Sequence, residues 1–204
     1  RVRSSAASDV YKRQDMERYQ NNMSEVQTQL MPVFPRDAQI DALYALKKSR
    51  EQGDQKALIH AATGIGKTYL AAFDSVGFNK VLFVAHREEI LKQASESFRR
   101  IRPQDEQGFF NKARKDTDRS IIFASVSSLG KDEYLNEKFF PQDYFDYIVV
   151  DEFHHAVNDS YMKIISYFKY QFLLGLTATP DRMDGRNIYA VSYTHLTLPT
   201  ILRV

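Results

Sequence analysis

The eight-residue run AATGIGKT, from Ala61 to Thr68, constrains this chain more than any other feature. It follows a short apolar stretch, Ala57–Ala61, and opens a stretch, Lys67–Val76, that reads as a helix. Strand, glycine-bearing loop and helix in that order is the setting in which backbone N–H groups cradle phosphate oxygens. Gly64 and Gly66 permit a tight turn that aims successive N–H groups of Thr63, Gly64, Ile65 and Gly66 into one concavity, beside the positive end of the helix. Lys67 then reaches the β- and γ-phosphates, and Thr68 offers its hydroxyl to Mg²⁺. The run departs from the pattern GxxxxGK[ST] at its first position, which is Ala61. A chance match in a glycine turn is the competing reading, and the strand–loop–helix setting counts against it.

The rest of the chain supplies a fold for such a loop. Ile40, Leu43, Tyr44 and Leu46 follow a helical period after Asp37, which is a plausible N-cap, and Gly53-Asp54 ends that helix. Beyond it, apolar strand runs alternate with helices. Lys80–Ala85, Ser120–Ala124, Tyr147–Val150 and Phe172–Leu176 read as strands, and Glu88–Ile101 and Ser160–Phe168 as helices. Strands apolar along their whole length are covered on both faces, which predicts an α/β fold with a mainly parallel sheet between helices. Residues 102–119 are polar and read as a crossover loop, with a short hairpin or strand as the alternative.

A second constellation, YIVVDEFHH, puts Asp151 at the carboxyl end of an apolar strand, where open parallel sheets bind their ligands. Asp151 suits a Mg²⁺-holding carboxylate, and Glu152 a group that polarises the water attacking a γ-phosphate. Two rival readings exist. Asp151, Glu152, His154 and His155 are all metal-ligand types, but their spacing does not match HExxH. Acidic residues also complement a helix N-terminus. The upstream phosphate loop favours the first reading.

Composition sets outer limits. In 204 residues, 43% hydrophobic, there is room for one sizeable domain with short extensions. Cysteine is absent, which excludes disulfides and cysteine-ligated metals. No stretch approaches the roughly 18 to 20 apolar residues of a membrane span, and a cytoplasmic protein is the expectation. The net charge of +2 is concentrated at the ends: residues 1–14 carry +3 and residues 191–204 carry +1, leaving −2 for residues 15–190. Bulk charge therefore argues neither for nor against a polyanionic partner, and any such partner must be argued from local sites.

Those two ends differ in texture from the middle. Residues 1–14 show no period, and residues 191–204 alternate abruptly after DRMDGRN. Both resemble translated sequencing-adaptor sequence and are expected to be non-native. A disordered tail and an authentic edge strand are the alternative. Residues 15–32 read as a weakly amphipathic linker or the remnant of a preceding domain, and residues 33–190 as the folded unit.

Taken in order, Gln39, AATGIGKT, VLFVAHREEIL, IIFASVSSL, DEFHH and GLTATP resemble the first, RecA-like motor lobe of superfamily 2 helicases and translocases. The DEFH box places the chain near the DExH group, and the branch containing restriction-enzyme motor subunits is the most similar. The resemblance covers residues 33–190, and six elements in one order are more specific than any motif alone.

The resemblance implies that Gln39 reads the adenine edge of ATP. It implies that His86 and Arg87, and then Ser125 and Ser127, contact a nucleic-acid backbone, although the family more often has threonine and glutamine at the second pair. His154, Thr177 and Thr179 would couple hydrolysis to the nucleic-acid track. It further implies a DNA helicase or translocase using ATP and Mg²⁺, with a second RecA-like lobe missing from this chain. The fragment alone is then expected to hydrolyse ATP weakly or not at all. An RNA helicase lobe, another P-loop class such as a kinase or signalling switch, and a nucleic-acid-binding module using ATP only structurally are the alternatives.

Overall fold

The computed structural model describes residues 33–62, 64–153 and 159–178, together with the backbone of residues 201–203. Helix α1 (Asp37–Glu51) leads into strand β1 (Lys56–His60), followed by the phosphate loop and helix α2 (Lys67–Asp74), which a single 3₁₀ turn, Ser75–Gly77, extends. Strand β2 (Val81–Ala85), helix α3 (Glu88–Ile101), strand β3 (Gln107–Phe110), strand β4 (Ile121–Ser125) and the one-turn helix α4 (Val126–Leu129) come next. Strand β5 (Tyr147–Val150), helix α5 (Asp159–Tyr167), strand β6 (Phe172–Thr177) and strand β7 (Ile201–Arg203) complete the order. All seven strands join one parallel sheet in the order β3-β4-β2-β5-β6-β1-β7. Strand β7 lies within residues 191–204, the stretch for which both a foreign tail and an edge strand stand open.

Alternation along each strand splits the core into two layers. Ile59, Phe83, Phe123, Val149 and Leu174 point to the face covered by α1, α2 and α3. Leu58, Leu82, Ile122, Ile148 and Leu173 point to the opposite face, covered by α4, α5 and the aromatic cluster around Phe140 and Phe145. Because both faces are covered, the central strands are apolar at every position, as the sequence predicts. Phe98 of α3 packs edge-on against Phe83 and Phe123, with ring centroids 5.8 and 5.4 Å away, and locks that helix over β2 and β4.

Two local expectations are corrected. The N-cap of α1 is Arg36 and not Asp37, because the Gln39 side chain accepts the Arg36 N–H at 2.9 Å and closes the first turn one residue earlier. The polar segment 102–119 contains strand β3, the alternative kept open for it. As an edge strand β3 pairs only with β4 and buries every second residue, so its sequence carries a weak signal.

At the amino-terminal edge of the sheet a buried polar cluster ties three elements together. The Arg50 guanidinium of α1 makes a two-pronged ion pair with Asp74 of α2, at 2.8 and 2.7 Å. Tyr147 of β5 donates its hydroxyl to the same carboxylate at 2.7 Å. Burial, then the Asp74 charge, push the Tyr147 phenol well above its ordinary range and keep it a donor. Arg50 also lies over the Phe172 ring, 4.9 Å from its centroid. Asp74→Ala strips the partners from both a guanidinium and a buried hydroxyl. We expect it to lower unfolding free energy by about 3 kcal/mol in urea titrations, with Tyr147→Phe costing about 1 kcal/mol. A loss for Asp74→Ala no larger than that of Tyr147→Phe would show that the cluster does not tie α1 to the sheet.

Candidate nucleotide site at the carboxyl edge of the sheet

Strand β6 lies between β1 and β5, so the loops leaving β1 and β5 emerge on one edge about 10 Å apart, two strand spacings. The β1 side is held by the Ala61 N–H, which donates to the Thr177 carbonyl at 3.0 Å. The β5 side is held by the Asp151 N–H, which donates to the Val84 carbonyl at 3.0 Å. This brings the phosphate loop, Thr177 and Asp151 to adjacent positions.

The loop itself follows from its glycines. Gly64 and Gly66 have φ of +94° and +81°, the left-handed region that side chains resist. Gly66 is the N-cap of α2, whose first turn carries no acidic residue to compete with an anion. A Cβ on Gly66 would also lie 2.7 Å from Gln39 Nε2. Ala61, by contrast, needs no positive φ, and its methyl group is fully buried in the core, so the missing first glycine leaves the turn undisturbed.

Gln39 is nearly buried and clamps this loop. Its Nε2 donates to the carbonyls of Ile65 and Gly66 at 2.9 and 3.2 Å, while its Oε1 accepts the Arg36 N–H. The residue assigned by resemblance to the adenine edge is thus also a strut between α1 and the phosphate loop. Neither spacing nor periodicity signals that second contact, which spans 26 residues.

Lys67 extends back over the loop, its Nζ donating to Ala61 O at 3.0 Å and Ala62 O at 3.3 Å. Burial lowers its ammonium pKa, and the Asp151 charge opposes that shift. Asp151 shows the converse: burial raises its carboxyl pKa and the Glu152 charge adds to this, while the Glu152 N–H and the Lys67 charge pull it down. Lys67 and Asp151 thus each bear a burial cost that a bound group of opposite charge would offset.

Glu152 has φ of +51°, a left-handed conformation costing a non-glycine residue about 1–2 kcal/mol. Two contacts hold it there. The Asp151 carboxylate accepts the Glu152 N–H at 2.9 Å, and the next residue, Phe153, is buried. Phe153 seats against Gly175 of β6, where an added Cβ would lie 2.8 Å from the ring. Gly175 is therefore a positioning residue that motif reading passes over, although a lone glycine inside an apolar strand is a signal for close approach. The Tyr161 hydroxyl of α5 is buried without a hydrogen-bond partner among the described residues. Its phenol is kept protonated by burial and by the Glu152 and Asp151 charges.

Thr68 is half-buried in the first turn of α2. Its hydroxyl class and the Asp151 carboxylate fit a hard, oxygen-preferring cation such as Mg²⁺. Among the described residues no group of three or more histidine or acidic side chains could hold a metal ion. His86 and Arg87 are exposed at the carboxyl end of β2. Ser125, buried at the end of β4, lies 3.4 Å from the exposed Ser127, hydroxyl to hydroxyl. These two pairs sit on the same edge as the loop, on the far side of β5. Thr63, His154 and Thr179 lie outside the described residues.

Comparison with known proteins agrees with this geometry. The family described as type III restriction enzyme, res subunit, matches residues 33–182. The inferred ATP-dependent helicase IRC3 of Saccharomyces cerevisiae is 29% identical over 177 residues, which cover 76% of this chain and 25% of that protein. The type I restriction enzyme EcoAI endonuclease subunit of Escherichia coli is 29% identical over 164 residues, covering 72% of this chain and 19% of that protein. In fold, the Sulfolobus solfataricus SWI2/SNF2 ATPase core, solved in complex with double-stranded DNA, superimposes with a TM-score of 0.61 at 20% identity, covering 79% of this chain and 36% of that one. The chain thus spans a quarter or less of the length of these two curated relatives. A parallel sheet with a phosphate loop at β1 and an acidic box at β5, matched over residues 33–182, places the chain in the type III restriction enzyme res-subunit family, as a first RecA-like lobe of the superfamily 2 helicases.

Proposed function

We propose that this lobe binds ATP with Mg²⁺ and serves a DNA helicase or translocase, in which a second lobe beyond the matched region completes the hydrolytic site. The observation that carries the reading is the topology, which sets the phosphate loop after β1 and Asp151 after β5 on the same edge of the parallel sheet, with β6 alone between them. The N–H groups of Gly64, Ile65 and Gly66 and the amino end of α2 take the phosphates. Lys67 exchanges its two loop carbonyls for β- and γ-phosphate oxygens. Thr68 and Asp151 hold Mg²⁺, which supplies charge neutralisation at those oxygens when bound. Glu152, fixed by its left-handed backbone, orients the attacking water. The adenine lies near Gln39, and Thr177, between the two loops, carries changes at the phosphates toward the nucleic acid together with His154 and Thr179.

Arg87, His86, Ser125 and Ser127 form the nucleic-acid side. DNA is favoured over RNA by the restriction-enzyme relative and by the DNA-bound neighbour in fold. The cytoplasm is the compartment we assign. No helix among the described residues is long and apolar enough to cross a membrane.

Two substitutions test the site. Lys67→Ala is expected to abolish binding of a fluorescent ATP analogue in equilibrium titrations, and unchanged affinity would remove Lys67 from the site. Glu152→Gly relieves the left-handed strain. It is expected to leave stability unchanged or raise it by up to about 1 kcal/mol. In the nucleic-acid-stimulated reaction of the chain joined to its second lobe, turnover should fall by at least about 10²-fold with nucleotide affinity retained. Wild-type turnover in that variant would return Glu152 to a purely structural role.

A further inference from the structure

The crossover from β5 to β6 fixes where helix α5 begins. The two strands are parallel neighbours, so the helix joining them runs antiparallel to both, and its amino end lies at the carboxyl edge of the sheet. Only residues 154–158 separate Phe153 from Asp159, the first residue of α5. Tyr161 sits in that first turn, and helical side chains lean toward the amino end of their helix. Its ring is packed in the same buried layer as Val150 and Phe153, the residues on either side of Asp151 and Glu152. The Tyr161 hydroxyl is thereby directed at the acidic box from the α5 face of the sheet.

This turn is also fixed from its other side. Gly130, after α4, approaches α5 so closely that a Cβ there would lie 2.9 Å from the Ser160 carbonyl oxygen. Ile164 and Ile165, one turn on, are buried in the layer that holds Tyr161. The phenol has little freedom to move, and a partner must come to it.

A buried tyrosine is most often a packing residue whose hydroxyl has found an oxygen. Three other tyrosines follow that rule: Tyr147 donates to Asp74, Tyr144 to Thr117 O and Tyr167 to Phe140 O, at 2.7, 2.7 and 2.8 Å. Tyr161 is 1% exposed and breaks it, since its hydroxyl has no partner among the described residues. A phenylalanine would fill the same space without an unmet donor. The Glu152 carboxylate is the complement of that donor. Among the described residues Glu152 is hydrogen-bonded through its backbone N–H, and its carboxylate accepts nothing. Burial first, then the Glu152 charge and then that of Asp151, hold the phenol protonated, so near neutral pH it acts as a donor.

We propose that Tyr161 is a positioning residue for Glu152: in the assembled two-lobe site its hydroxyl donates to one oxygen of the Glu152 carboxylate and leaves the other for the attacking water. No proton changes hands. The assignment rests on the role given to Glu152 above and adds a restraint on its side chain to the one on its backbone. Tyr161→Phe removes the hydroxyl and keeps the ring. In the chain joined to its second lobe, nucleic-acid-stimulated turnover should fall by about 10- to 100-fold, the range for a hydrogen bond to a charged group. KM for ATP should change by less than about twofold. The urea midpoint of the chain itself should stay level or rise, since no bond is broken in the folded lobe. A lowered midpoint would reveal a structural bond at the hydroxyl, and wild-type turnover would show that no bond to Glu152 forms; either result overturns the proposal. In the Glu152→Gly chain, adding Tyr161→Phe should cost no further turnover, and an additive loss would mean that the hydroxyl acts elsewhere. If Glu152→Gly loses turnover and Tyr161→Phe does not, only this assignment falls. If Glu152→Gly turns over as the wild type does, Glu152 has no such role and both readings fall.

Discussion

The insertion of β6 between β1 and β5 is the constraint on which the rest of this lobe depends. Parallel pairing sends every carboxyl end to the same edge, and the intervening strand sets the separation of the phosphate loop from the acidic box. Paired directly, β1 and β5 would bring Lys67 and Asp151 within contact, leaving no room for phosphates between them. With one strand interposed, each stays half-buried with hydrogen bonds only to its own loop, Lys67 to the Ala61 and Ala62 carbonyls and Asp151 to the Glu152 N–H. Thr177, at the end of that strand, accepts the Ala61 N–H with its carbonyl and so ties β6 to the start of the phosphate loop.

Local strain is placed where this arrangement needs it. Gly64, Gly66 and Glu152 all have positive φ, and all three lie in the two loops facing the cleft. The glycines adopt it freely, whereas Glu152 does so only because the Asp151 carboxylate holds its N–H and Phe153 is seated on Gly175. A backbone held against its preference fixes where the Glu152 side chain leaves the loop, which suits the role proposed for it. The opposite edge of the sheet carries the complementary device, a buried Arg50–Asp74–Tyr147 cluster that fastens α1 and α2 to β5 away from the cleft. Gln39 then transmits the position of α1 directly to the loop carbonyls.

Much of the fold was legible because parallel strands covered on both faces must be apolar throughout. Tyr147–Val150 is delimited in the sequence as it is in the sheet, and Val81–Ala85 lies within the predicted Lys80–Ala85. Strand β3 was not legible in the same way, since its one-sided pairing leaves Gln107 and Phe109 only half-buried in a polar context. The N-cap of α1 escaped because it depends on a glutamine side chain reaching back, a contact that competes poorly with the familiar Asp signal. Within the candidate site, residue types and strand ends could be read from sequence, because ligand loops follow apolar runs. The Gln39 strut and the Gly175 seat could not, since both are contacts between elements distant in the chain and neither alters a local pattern.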